Sequence, residues 1–72
     1  VKVRGLSLIG HVGRSKSGGI EVIHAAHINL IDGKRRTFAQ RGELPADATR
    51  EQVAEMFGRT ARESLLEALE NA

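Results

Sequence analysis

Apolar and small side chains recur at Val53, Phe57, Ala61, Ser64 and Ala68, with Ala54, Leu65, Leu69 and Ala72 beside them. Arg59, Arg62, Glu63, Glu67 and Glu70 take the other side. Spacings of three and four residues describe one face of an α-helix. Thr49 followed by Gln52 reads as a capping box, and Pro45 with Asp47 marks the loop ahead of it. The pattern predicts a helix over about 50 to 70, roughly 31 Å long at about 1.5 Å per residue. Gly58 falls inside it at a cost of about 1 kcal/mol relative to Ala. Leu66 lies off the main stripe, facing solvent or a partner.

Ahead of the helix the period becomes two. Ile20, Val22, His24, Ala26, Ile28 and Leu30 share one face of a strand, and Glu21, Ile23, Ala25, His27 and Asn29 share the other. Upstream, Leu6, Leu8, Gly10 and Val12 form the inner face of a first strand, with Ser7, Ile9 and His11 outside. Val1 and Val3 have the wrong parity for that face, which predicts a bulge near Gly5. The run from Arg14 to Gly19 is a flexible turn by composition.

A third strand, about Arg35 to Arg41, follows Asp32-Gly33, a hairpin signal. Parity selects the loop. A two-residue loop would put Phe38 on the face of His27 and Asn29. A three-residue loop with Gly33 left-handed sets Phe38 opposite Ala26, on the Ile28 face, where it joins the core. The expected fold is α+β: residues 1–72 form a single small β-β-β-α domain. It is a three-stranded antiparallel meander followed by one long C-terminal amphipathic helix packed on one sheet face.

At 7.8 kDa there is room for one core, and a chain this short buries only about 60% of its unfolded surface. It has no cysteine, which excludes a disulfide framework and a Cys-based zinc site and fits a reducing, cytoplasmic compartment. No apolar stretch approaches the roughly 18 residues of a membrane span, and no charged-then-apolar leader is seen, so no membrane partner is expected. The first residue is Val1 rather than Met, which suggests residues removed upstream.

The net charge of +2 hides a division. Residues 1–42 hold eight cationic side chains against Glu21 and Asp32, a balance of +6. Residues 43–72 hold Arg50, Arg59 and Arg62 against seven acids, a balance of −4. A basic sheet and an acidic helix would give opposite sides of one molecule, a polarity that a polyanion senses.

Along the uncovered sheet face, Arg35, Thr37, Ala39 and Arg41 would lie beside His27, Asn29 and Ile9. Arg14 and Lys16 sit in the first turn, and Lys34, Arg35 and Arg36 crowd the second. Such a surface suits a DNA major groove, which admits a β-ribbon. The hairpin cations would meet phosphates, which position without reading sequence. Arg35, Asn29 and Arg41 could read base edges, Arg to guanine and Asn to adenine. The bland alternative is that Lys and Arg merely keep a sheet edge from pairing. Single-strand binders commonly stack bases on exposed aromatics. Here Phe38 and Phe57 are the only aromatics of the Phe, Tyr and Trp kind, and the core claims both, which favours duplex.

Constellations that would carry chemistry fail one by one. His24 and His27 fall on opposite strand faces. His11 and His27 share the outer face without a further ligand, so no metal is expected. His24 reads as a hydrogen-bonded core histidine, while protonated His11 and His27 would add charge beside a polyanion. Ser7, Ser15, Ser17 and Ser64 stand in no nucleophile motif. The glycine-rich run from Gly10 to Gly19 lacks the phosphate-loop pattern and leads into a strand. The expectation is therefore a non-enzymatic chain with no cofactor.

Ile9, Ile23, Ala25 and Ile31 on the sheet, with Met56, Leu66 and Leu69 on the helix, remain as leftover apolar surface. Dimerisation is an economical way for a small domain to bury such groups, so a homodimer is favoured over a monomer. Met56, Leu66 and Leu69 are the candidate contacts. The run from Ile28 to Phe38, with a helix starting after Thr49, resembles the sheet-plus-helix domains of AP2 type and integrase arm-binding type. The resemblance, one of architecture, implies a sheet inserted into a major groove; the tryptophan-bearing strands common there are absent. The leading expectation is a DNA-binding or accessory module using Arg14, Lys16, His27, Asn29, Lys34, Arg35, Arg36 and Arg41. The runner-up is a protein-interaction or inhibitor module that docks on an acidic protein surface with the same polarity.

Overall fold

A computed structural model describes residues 3–72. Val1 and Lys2, which enter the strand parity and the charge balance above, lie outside the described residues. Three strands, β1 (Val3–Arg14), β2 (Ile20–Leu30) and β3 (Arg35–Leu44), precede one helix, α1 (Arg50–Glu70). They form one antiparallel sheet in the order β1-β2-β3, and the helix lies on one face of it.

The second hairpin takes the register that parity selects. Ala26 faces Phe38 and Ile28 faces Arg36. Gly33 carries a φ of 87°, which L side chains rarely adopt, and the Leu30 amide donates to the Lys34 carbonyl at 2.8 Å to close the three-residue loop. In β1 the register shifts between Val3 and Gly5, with Arg4 as the extra residue, so Val3 returns to the helix side opposite Leu30. Helix α1 starts where the capping box places it: Gln52 N–H donates to Thr49 Oγ1 at 3.2 Å and Thr49 N–H to Gln52 Oε1 at 2.9 Å.

Strand β3 runs three residues past the expected Arg41, to Leu44. Gly42 reads as a breaker, yet it lies in the sheet with the Met56 sulfur where a Cβ would be. The strand needs glycine there to admit the helix.

The core is thin. Val22, Ala26, Ile28, Leu30 and Ala68 are its buried apolar residues, with Val3 and Phe38 packed against it. The helix touches down through Thr60, Ser64 and Ala68, which are small and buried. Small residues at four-residue spacing let it settle low over β2 and β3. The cost falls on β1. Leu6, Leu8 and Val12, expected in the core, face the helix side yet remain 38%, 39% and 43% exposed, because α1 is set too far toward β3 to cover them. The body measures 45 × 21 × 14 Å with a radius of gyration of 13.8 Å, against about 11 Å for a compact chain of this length. Among the described residues no helix is long and apolar enough to cross a membrane.

Candidate nucleic-acid interface

The uncovered sheet face is built in rows across the three strands. From the β2–β3 hairpin inward they are Gly5–Asn29–Arg35, then Ser7–His27–Thr37, then Ile9–Ala25–Ala39. The last two are His11–Ile23–Arg41 and Gly13–Glu21–Glu43. Strand alternation puts all of them on one side, as the sequence implies. Asn29 and Arg35 are exposed. His27 Nδ1 and Thr37 Oγ1 share a 2.8 Å hydrogen bond that fixes the ring against the sheet.

The cations do not spread over this face. Arg41 is tied to its own chain: Nη2 lies 2.6 Å from Glu21 and 3.2 Å from Glu43, and Nε donates to Glu21 at 2.7 Å. The Glu21 carboxylate raises the guanidinium pKa above its ordinary value, first by hydrogen bonding and then by charge. Glu43 also accepts from Ser17, and from Ser15 at 2.8 Å, which with Arg41 pulls its pKa below the ordinary carboxylate value. Arg35 and Arg41 are thus matched in number by Glu21 and Glu43, of which Arg41 alone pairs with them, and the open face carries as many acids as bases. This corrects the expectation of a continuous cationic front in which Arg41 reads bases: an exposed Arg with two strand-neighbour carboxylates pairs with them first.

Arg36 is also displaced from the expected surface. It lies opposite Ile28 on the helix side, and its Nη1 donates to the Asn71 carbonyl at 3.4 Å. The last turn of α1 holds no basic residue of its own, so Arg36 supplies the cation that the negative end of a helix favours. Arg14 and Lys16 sit at the β1–β2 turn, the far end of the sheet from Lys34 and Arg35. That separation is roughly 30 Å at about 3.3 Å per residue.

What the structure gathers is one cationic end. Lys34 and Arg35 on the β3 side and Arg4 on the β1 side lie at the same end of the sheet, on either side of the Leu30–Asn29 end of β2. Among the described residues none of the three forms an ion pair with a carboxylate within 4.0 Å. Asp32 is turned to its own backbone, accepting from the Lys34 amide at 3.0 Å. Arg4, counted among the cations of residues 1–42, is not one of the candidate contacts that the sequence singles out, although a bulge near Gly5 sets its neighbour level with Asn29.

The remaining candidates occupy other places. Met56 is half-buried over Gly42, with Arg59 Nη2 3.4 Å from its sulfur, and is taken up by the fold. Leu66 and Leu69 are exposed on α1. His24 is 2% exposed; its Nδ1 lies 2.7 Å from Thr60 Oγ1 and its ring meets Phe57 edge-on at 4.2 Å. Among the described residues no three His, Asp or Glu side chains group as a metal site.

Compared with protein-family models, with curated proteins and with solved structures, the chain matches none. The resemblance to AP2-type and integrase arm-binding domains therefore stays one of strand and helix order.

Proposed function

We propose that the chain is a small non-enzymatic module that binds duplex nucleic acid, DNA by preference, through the cationic end of its sheet. Arg4, Lys34 and Arg35 neutralise phosphates there, while Asn29 on the Arg35 row and His27 on the next stand where base edges or sugars would pass. The observation that carries the reading is the contrast between two arginines on one face. Arg41 is satisfied by Glu21 and Glu43, whereas Arg35 is exposed and in no ion pair among the described residues, beside Asn29. A guanidinium in no ion pair beside an amide is a donor pair for phosphate and base edge. Beyond the His27 row, the Ile9–Ala25–Ala39 row is apolar and uncharged, a surface that does not repel a polyanion. A cytoplasmic setting belongs to the reading, and the lack of cysteine fits it.

Electrophoretic titration against random duplex at two salt concentrations tests this. Arg35→Ala should weaken binding at every sequence and lower the salt slope by about 1, whereas Arg41→Ala should leave both nearly unchanged. A low-salt titration with no shift, or equal effects of the two substitutions, overturns the reading. Retention of an acidic protein in place of duplex would favour the protein-docking alternative.

A further inference from the structure

The two edges of the sheet differ in kind. Strand β3 carries Arg35, Arg36, Arg41 and Glu43, and its helix side is covered by α1, with Met56 over Gly42 and Gln40 donating to Glu67 at 3.4 Å. Charges and a covering helix are how an edge is kept from pairing. Between its terminal Arg4 and Arg14, strand β1 has no charge and little cover. From Gly5 to Gly13 it holds no Lys, Arg, Asp, Glu or Pro. Its helix-side Leu6, Leu8 and Val12 stay exposed, and Val12 borders a shallow apolar dip with Val53, Ala54 and Phe57. A long, uncharged edge with an apolar face is a template for one more strand.

We infer that a second copy of this chain occupies that edge, β1 against β1 about a two-fold axis at Ile9, and that the dimer sets two cationic ends one DNA turn apart. The occupant follows from the strand's own order. Antiparallel pairing centred on Ile9 keeps both helix-side faces together, because the residue sums stay even. Leu6 meets the partner's Val12, Leu8 meets the partner's Gly10, and Ser7 meets the partner's His11. The glycine opposite Leu8 is the position over which Phe57 lies, so the incoming leucine lands beside a half-exposed aromatic ring. On the axis, at the uncovered face, Ile9, 58% exposed, meets its own copy. Arg4 and Arg14 flank the paired stretch at its ends, so their mutual repulsion weakens the dimer at low salt and is screened at high salt.

The consequence for binding rests on the function proposed above. The axis passes through the Ile9–Ala25–Ala39 row, and Arg35 lies two rows, or four residues, further along and two strands further out. With strands about 4.8 Å apart and about 3.3 Å per residue, the two Arg35 positions in a flat sheet are roughly 35 Å apart on one face. Half-sites on one face of B-DNA repeat at about 34–36 Å.

The assembly is tested without nucleic acid, and duplex is titrated afterwards. Light scattering at tens of micromolar should give twice the 7.8 kDa chain mass, and Ile9→Lys, which opposes two charges at the axis, should return it to one. Because the chain has no cysteine, Ile9→Cys introduces a single thiol. Directly opposite strand residues lie about 4.5–5.5 Å apart, within disulfide reach. Oxidation should cross-link Ile9→Cys nearly completely and leave Ile31→Cys and Leu66→Cys single. A monomeric wild type overturns the inference and leaves the DNA reading standing, as does a dimer that cross-links at Leu66→Cys instead. A dimer with the Ile9 cross-link that shifts no duplex upholds the assembly and ends the binding role.

Discussion

The Ser64 hydroxyl donates a 2.7 Å hydrogen bond to the carbonyl of Phe38 while Ser64 itself is wholly buried. A helix normally presents a large apolar side chain at its point of closest approach. This one presents a hydroxyl that the sheet satisfies, flanked at four-residue spacing by Thr60 and Ala68. The small contact is why the helix sits low and why β1 is left open.

Ser64→Ala should therefore cost only about 1 kcal/mol, the net worth of one hydrogen bond. Ser64→Leu should cost more, about 1–3 kcal/mol, because there is no space for it without lifting the helix. Urea unfolding checks both: the midpoint shifts while the slope is unchanged. A neutral Ser64→Leu would mean that the helix does not approach as described.

Much of this arrangement is legible in the residues. Parity alone gives the Ala26–Phe38 register, because only one loop length carries Phe38 into the core, and Thr49 with Gln52 places the helix start. The lateral position of the helix is not legible, since periodicity says which residues face the sheet but not which strands they meet. The openness of Leu6, Leu8 and Val12 follows from that missing fact. The candidate surface divides in the same way. Arg35, Asn29, His27 and Thr37 share a face by alternation. The withdrawal of Arg41 depends on Glu43 standing in a strand that continues through Gly42, and the use of Arg36 depends on where the helix ends.

His24 is buried, and desolvation lowers its pKa below the ordinary 6.5. The unfolded chain then binds a proton more readily than the folded one as pH falls below about 6.5. Stability contributed by the neutral ring is full above that pH and is lost as pH falls toward the folded-state value. Unfolding midpoints at pH 7.5 and 5.5 should differ, and His24→Asn should shrink the difference even if it lowers both. The window stays above the range in which most carboxylates titrate. An unchanged pH dependence in that variant would show that His24 is not the group responsible.

At Gly10 the Phe57 ring of α1 closes directly on β1. A Cβ built there would lie 2.5 Å from His24 Nε2 and 2.6 Å from the Phe57 ring. Gly10→Ala should destabilise by about 1–3 kcal/mol as both rings move aside. Shortening the ring in Phe57→Leu should remove part of that penalty, so the double variant is more stable than the two single effects added together. Midpoints of all four proteins at one concentration measure the coupling, and strict additivity would count against the Phe57–Gly10 contact.

Arg35 and Arg36 are neighbours in sequence with separate duties, because successive residues of a strand point to opposite faces. Arg36 lies on the helix side with the Asn71 carbonyl 3.4 Å from its guanidinium, so its removal leaves the end of α1 without a nearby cation. Arg36→Ala should lower stability by about 0.3–1 kcal/mol, an exposed charge against a helix terminus. It should weaken duplex binding less than Arg35→Ala does. Arg35→Ala should leave the unfolding midpoint within about 0.5 kcal/mol of wild type, as an exposed substitution without partners does, and should carry the loss of binding. Thermal unfolding and duplex titration on the same two proteins give a crossed pattern: one variant moves the first measurement, the other moves the second. Parallel changes in both measurements would mean that the two arginines act on one surface, which strand alternation does not allow.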